Sequence, residues 1–126
     1  MNPAEKISDA ELEVLKVLWA NSTPLSERQI IDALNDDNNW HRATIQTLLR
    51  RLCDKGVVEK VKQEIFYYSA RVTEDEYARE RTSDLLNKVY GGSAKNLVSA
   101  MLGSNILSEK DIEDLGDYWK KRKTEK

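Results

Sequence analysis

The spacing of apolar residues changes once along this chain, at Gly56, and that change limits the folds open to it. Upstream, three stretches repeat apolar side chains at helical intervals: Leu12, Leu15, Leu18 and Trp19, then Ile30, Ile31 and Leu34, then Ile45, Leu48, Leu49 and Leu52. Downstream, Val57-Val58-Glu59-Lys60-Val61-Lys62 and Ile65-Phe66-Tyr67-Tyr68-Ser69 are rich in β-branched and aromatic residues and are separated by the polar pair Gln63-Glu64. The pattern predicts three short helices followed by a β-hairpin. In that hairpin Tyr67 and Tyr68 alternate faces, so at most one of them enters the core.

Local signals set the helix ends. Ser8 and Glu11 have the spacing of a capping box, with Ile7 and Leu12 at the positions of a hydrophobic staple; this helix runs through Ala20 and stops at Asn21-Ser22-Thr23-Pro24. Ser26 and Gln29 repeat the box for a second, short helix that ends in the polar loop Asn35 to Asn39. The third helix is expected from about Arg42 to Lys55, with Gly56 as the residue that follows its C-cap. Beyond the hairpin, Thr73 and Glu76 open a long helix that Gly91-Gly92 breaks. Ser93 caps a short helix from Ala94 to Leu102, and Ser108-Glu109-Lys110-Asp111 begins a last one, before a frayed basic tail from Lys120 to Lys126.

Three helices and a hairpin in this order make a winged helix-turn-helix. The expected fold is therefore mostly α with a small β-hairpin wing, comprising a DNA-binding domain over 1–70 and a helical dimerisation domain over 71–126. The C-terminal helices are amphipathic or apolar and too short to close a core of their own, so they are expected to pack on the first module or on another chain; self-association is the more economical reading, because two copies of a helix-turn-helix can meet two half-sites. The expected dimerisation residues are Tyr77, Leu85, Leu86, Val89, Tyr90, Leu97, Val98, Met101, Leu102, Ile112, Leu115 and Trp119.

If Ile45, Leu48, Leu49 and Leu52 face inward, the third helix turns Ala43, Gln46, Thr47, Arg50 and Arg51 outward, with Arg42 and Thr44 beside its N-terminal end. Small residues let a helix approach a groove, Gln and Thr address base edges, and Arg reaches guanine or phosphate. The net charge of the 126-residue chain is −2, which excludes a uniformly basic coat. From Trp40 to Lys62, however, six basic residues (Arg42, Arg50, Arg51, Lys55, Lys60, Lys62) stand against Asp54 and Glu59. Lys60 and Lys62 supply charge where a wing meets phosphate. The alternative is an ordinary solvated face on a protein-interaction module that does not bind DNA specifically.

The rest of the inventory is negative. One cysteine, Cys53, and one histidine, His41, form no disulfide, metal cluster or catalytic set, and no Gly-rich phosphate loop occurs, so an enzyme is not expected and no cofactor or metal is called for. Cys53 reads as a small buried hydrophobe, and Trp40 as a core residue at the entry to the third helix. His41 reads equally as a phosphate contact or a plain loop residue. No run approaches the ~20 apolar residues of a membrane helix, and no charged-then-apolar leader opens the chain; a cytoplasmic location without membrane insertion is expected.

The chain resembles the penicillinase repressors of the BlaI/MecI type. The resemblance is carried by Ile7-Ser8-Asp9-Ala10-Glu11 with Leu15 and Trp19, by Trp40-His41-Arg42-Ala43-Thr44-Ile45-Gln46-Thr47-Leu48, and by Asp54-Lys55-Gly56-Val57-Val58, Phe66-Tyr67-Tyr68-Ser69 and Asn87-Lys88-Val89-Tyr90-Gly91-Gly92. It implies a homodimeric repressor on a dyad operator of double-stranded DNA, relieved when a membrane sensor-protease signals and the dimerisation module is cut. Trp40, Thr44, Ile45, Thr47 and Leu48 match the family's recognition-helix pattern, making Thr44 and Thr47 the leading base or phosphate contacts. His41, Arg42, Ala43 and Gln46 depart from it. The family's Asn-Phe cleavage site falls on Ala100-Met101, where neither residue is kept. A copper-responsive branch with a C-terminal Cys-x-Cys is excluded by a tail without cysteine.

Overall fold

A computed structural model describes residues 7–22, 24–38 and 40–124, without the side chains of 36–38. Thr23 of the expected helix stop, Asn39 of the expected loop and the last two residues of the expected tail lie outside the described residues. The order of elements is α1 (Asp9–Trp19), β1 (Leu25–Ser26), α2 (Glu27–Asn38), α3 (Arg42–Asp54), β2 (Val58–Lys62), β3 (Phe66–Ala70), α4 (Glu74–Val89), α5 (Ala94–Gly103) and α6 (Glu109–Thr124). The chain divides into two units, Met1–Ser83 and Asp84–Lys126, with the boundary inside α4.

In the first unit the capping chemistry is explicit. Ser8 Oγ accepts from the Glu11 amide at 3.1 Å and Glu11 Oε1 accepts from the Ser8 amide at 3.0 Å. The Ser26–Gln29 box closes in the same way, at 3.2 and 2.9 Å. Thr73 and Glu76 repeat it at 3.0 Å in both directions. Where α3 ends, the Val57 amide donates to the Leu52 carbonyl and the Gly56 amide to that of Cys53. This Schellman closure needs a left-handed residue, and Gly56 provides it at φ +79°.

Two helix ends differ from expectation. Helix α2 runs on to Asn38 where a loop was expected from Asn35, and α6 runs to Thr124 where fraying was expected from Lys120. Asn and Asp cost a helix only a few tenths of a kcal/mol each, and no Gly or Pro interrupts 35–38. In α6, Lys and Arg are good helix formers, and at a C-terminus their charge complements the helix dipole.

The hairpin forms as β2 and β3, in register from Val58↔Ala70 to Lys62↔Phe66. A third strand, β1, was not foreseen. Leu25 and Ser26 pair antiparallel with Tyr68 and Tyr67, giving the sheet order β1-β3-β2. The core gathers Val14, Leu15 and Leu18 of α1, Ile30 and Leu34 of α2, the four inward residues of α3, and Val57, Val58 and Tyr68. Of the two tyrosines, Tyr68 is buried and Tyr67 only half-buried. Trp40 and Cys53 pack against the edge of this core. Trp19 Nε1 donates to the Val72 carbonyl at 2.9 Å, and its ring lies 5.7 Å from that of Tyr77.

The sequence count of basic residues needs one correction. Lys55 does not join an outward basic face: its Nζ sits 2.7 Å from Glu11 Oε1 and 2.8 Å from Oε2. Glu11 is only 2% exposed, so this ion pair ties α1 to the end of α3.

In the second unit, Ser93 caps α5 by accepting from the Asn96 amide, and Ser108 and Asp111 form a reciprocal cap on α6. Among the described residues from 84 to 124 none is buried.

Candidate nucleic-acid interface

Helix α3 has two faces. Ile45, Leu48, Leu49 and Leu52 are buried, which turns Arg42, Ala43, Thr44, Gln46, Arg50 and Arg51 to solvent, with Thr47 half-buried. The Thr47 hydroxyl donates to the Ala43 carbonyl at 3.0 Å, so its oxygen remains an acceptor toward a ligand. His41 is the N-cap but makes no capping hydrogen bond through its side chain. Arg42 is largely exposed and its Nε stands 3.8 Å from Glu27 Oε1.

The wing brings its basic residues to the same side. Strand alternation puts Lys60, Lys62, Phe66 and Tyr68 on one face of the hairpin. Lys60 Nζ lies 4.0 Å above the centroid of the Phe66 ring and Lys62 Nζ lies 5.7 Å from it. The negative face of the aromatic ring thus attracts both ammonium groups.

Between helix and wing lies a cleft of about 630 Å³. Ala43, Gln46, Thr47 and Arg50 line one wall and Lys60, Phe66 and Tyr68 the other, with Glu27, Cys53 and Asp54 completing it. Five of the nine residues expected to contact DNA therefore meet here. Arg42 lines a neighbouring hollow with Glu27, Glu64, Ile65 and Phe66. Thr44, Arg51 and Lys62 are exposed but border neither cavity.

Sequence reasoning missed Phe66 and Glu27. Phe66 was visible in the alternation, since the residue paired with Lys62 shares its face. Glu27 carried no signal beyond its place in a capping motif. Its carboxylate is the acidic member of a basic surface, able to hold Arg42 or to accept from a cytosine amino group. Burial pushes the Cys53 thiol above its ordinary value; Lys60 opposes this and Asp54 adds to it. The group stays a thiol at neutral pH. Burial likewise raises the Tyr68 phenol, reinforced by Glu27 and Cys53.

The expected dimerisation residues fall into two groups. Leu85, Val89, Val98, Leu102, Ile112, Leu115 and Trp119 are between 45 and 64% exposed, whereas Leu86, Tyr90, Leu97 and Met101 are half-buried. Tyr77 lies in the first unit, against Trp19. Ala100 is exposed and Met101 half-buried, both within α5. Among the described residues no group of three or more His, Cys, Asp and Glu side chains is placed to hold a metal ion, and no helix is long and apolar enough to cross a membrane.

A three-helix unit with a three-stranded sheet, an exposed polar and basic helix and a lysine-bearing wing is a winged helix-turn-helix, a fold widely used by DNA-binding regulators. Residues 7–121 match the family model described as penicillinase repressor, and the chain belongs to that family. It is 33% identical over its whole length to the penicillinase repressor of Bacillus licheniformis, covering 98% of that protein. It is 32% identical over 96% of its length to the methicillin resistance regulatory protein MecI of Staphylococcus aureus, again covering 98% of that protein. Among solved structures, the DNA-binding domain of the repressor BlaI matches 61% of this chain and 94% of its own, at 38% identity and a TM-score of 0.54. Monomeric Bacillus licheniformis BlaI in complex with the blaP half-operator matches 57% of this chain and 88% of its own, at 40% identity and a TM-score of 0.51.

Proposed function

We propose that the chain is a cytoplasmic, homodimeric transcriptional repressor. Residues 1–70 bind one half of a dyad operator and residues 71–126 join two copies. The observation that carries this reading is the cleft in which Gln46, Thr47 and Arg50 of α3 face Lys60 of the wing. A helix seated in the major groove presents Gln46, Thr47 and Arg50 to base edges, while Arg42, Lys60 and Lys62 meet the flanking phosphates. The BlaI half-operator complex supports this reading, because that relative shares the first unit's fold. The homodimer is supported by a second unit in which Leu85, Val89, Val98, Leu102, Ile112, Leu115 and Trp119 are exposed. Isolated helices of 10–16 residues with no buried face are marginal in water, and a second copy provides the cover.

Relief of repression acts through the second unit. The Ala100–Met101 bond is the candidate point of cleavage for a membrane sensor-protease, and α5 must unwind locally before a protease reaches it.

Fluorescence anisotropy with the full chain and the dyad upstream of its own gene tests the reading. The expected result is affinity at least ~1,000-fold above that for a random duplex, with a strong salt dependence. Equal affinity for both duplexes, with a salt slope near zero, favours the protein-interaction module instead.

A further inference from the structure

Arg42 stands where helix chemistry does not favour a cation. It is the first residue of α3, at the positive end of that helix's dipole, and the first turn holds no acidic residue. It also departs from the family's recognition-helix pattern, which therefore does not account for it. Arg42 faces Glu27, the first residue of α2, so the two join the opening turns of both helices of the helix-turn-helix. Glu27 Oε1 is buried and accepts no hydrogen bond from the described residues. Arg42 Nε, 3.8 Å away, lies about 1 Å beyond a charged hydrogen bond. The Arg42 side chain is 73% exposed, and an ion pair so open to water contributes little to stability. Glu27, like Phe66, lines both the hollow beside Arg42 and the cleft between α3 and the wing. Its charge is felt in that cleft, where it helps to raise the Tyr68 phenol. A bare carboxylate there repels a phosphate unless a cation covers it.

We propose that Glu27 is a positioning residue for operator binding: it holds the Nε edge of Arg42 while the two Nη groups of the same guanidinium clasp a backbone phosphate. This rests on the DNA-binding reading and deepens it, because it makes an acidic residue part of a phosphate contact. A guanidinium suits the task, since its plane carries separate donors in a fixed fork. Anchored at one edge, it loses less freedom when the phosphate arrives at the other. Arg42 in turn neutralises Glu27. Removing Arg42 therefore costs a phosphate contact and also leaves an uncompensated carboxylate facing the DNA.

Fluorescence anisotropy with the full chain and the dyad upstream of its own gene tests the pair, using R42A, E27Q and the double variant E27Q/R42A. R42A is expected to weaken operator binding roughly 30-fold. Adding E27Q to R42A removes the bare carboxylate and is expected to restore affinity to within roughly fivefold of the parent. E27Q alone loses the anchor and a repulsive charge together, and is expected to stay within about threefold of the parent. Far-UV circular dichroism of each variant checks that the helices are retained. R42A binding as tightly as the parent, or E27Q changing affinity by the same factor in the parent and in the R42A background, overturns the pair and leaves operator binding standing. A parent chain that binds the dyad no better than a random duplex overturns the DNA-binding reading itself.

Discussion

Glu11 serves a helix cap and an ion pair with one carboxylate. Burial pushes its pKa up, but the Lys55 ammonium and the amide and hydroxyl of Ser8 pull harder, and the net value lies below the ordinary range. A carboxyl with a depressed folded-state pKa contributes stability that is present above its unfolded value, near 4.3, and is lost as pH falls through the folded value. Glu11→Gln is therefore expected to flatten the decline in urea midpoint between pH 6 and pH 3, compared with the parent. Glu11→Ala removes half the cap and the ion pair with Lys55, at a cost of about 2–3 kcal/mol in urea unfolding at pH 7. Thr47 invites a second substitution. Thr47→Val keeps the shape of the side chain and removes the hydroxyl, and is expected to lower specific operator affinity by about 1–3 kcal/mol in an anisotropy titration. Unchanged affinity removes Thr47 from the set of base contacts.

Helix α3 and the wing act as a pair, because neither forms the cleft without the other. Lys60 stands over Phe66, so truncating the ring releases the ammonium that faces the groove. Lys60→Ala is expected to weaken specific and random duplexes alike and to lower the salt slope by about one per half-site. Phe66→Leu is expected to act in the same direction more weakly, because it loses the cation–π contact and keeps the charge. The turn from α3 into β2 depends on Gly56. Nothing stands within 4 Å of a Cβ added there, so Gly56→Ala is penalised by its left-handed backbone alone. Its expected cost is about 1–2 kcal/mol in chemical unfolding.

Among the described residues, the first unit has a buried core and the second has no buried residue. The buried residues among those described all fall between Ile7 and Tyr68, and several large apolar side chains of α4 to α6, among them Leu85, Val98 and Leu115, are exposed. The proposed function makes DNA binding depend on their cover by a second copy, because a dyad rewards two linked recognition helices with an effective concentration that a single one lacks. Leu115→Asp is expected to shift the sedimenting species to monomer. It should also lower dyad affinity by roughly 100-fold, toward that for a half-site, while first-unit helicity is unchanged. Full dyad affinity in a monomeric variant defeats the linkage.

Signals confined to one turn of helix are legible in the order of residues alone. The three Ser/Thr boxes, the left-handed Gly56 and the inward stripe of α3 depend on groups three or four residues apart, which the chain brings together wherever it forms a helix. The polar and basic outer face of α3 follows from the same stripe by exclusion. What the sequence left open depends on separation along the chain. Strand β1 is two residues long, carries no period, and exists because β3, some forty residues away, offers an edge. Lys55 looks like part of a basic surface until α1 presents Glu11 across 44 residues of sequence. The seating of Lys60 on Phe66, and the convergence of Gln46, Thr47 and Arg50 with the wing, likewise appear only once strand register and helix packing are set. Those contacts join groups that are strangers in sequence, and their geometry is a property of the packed core and of no single segment.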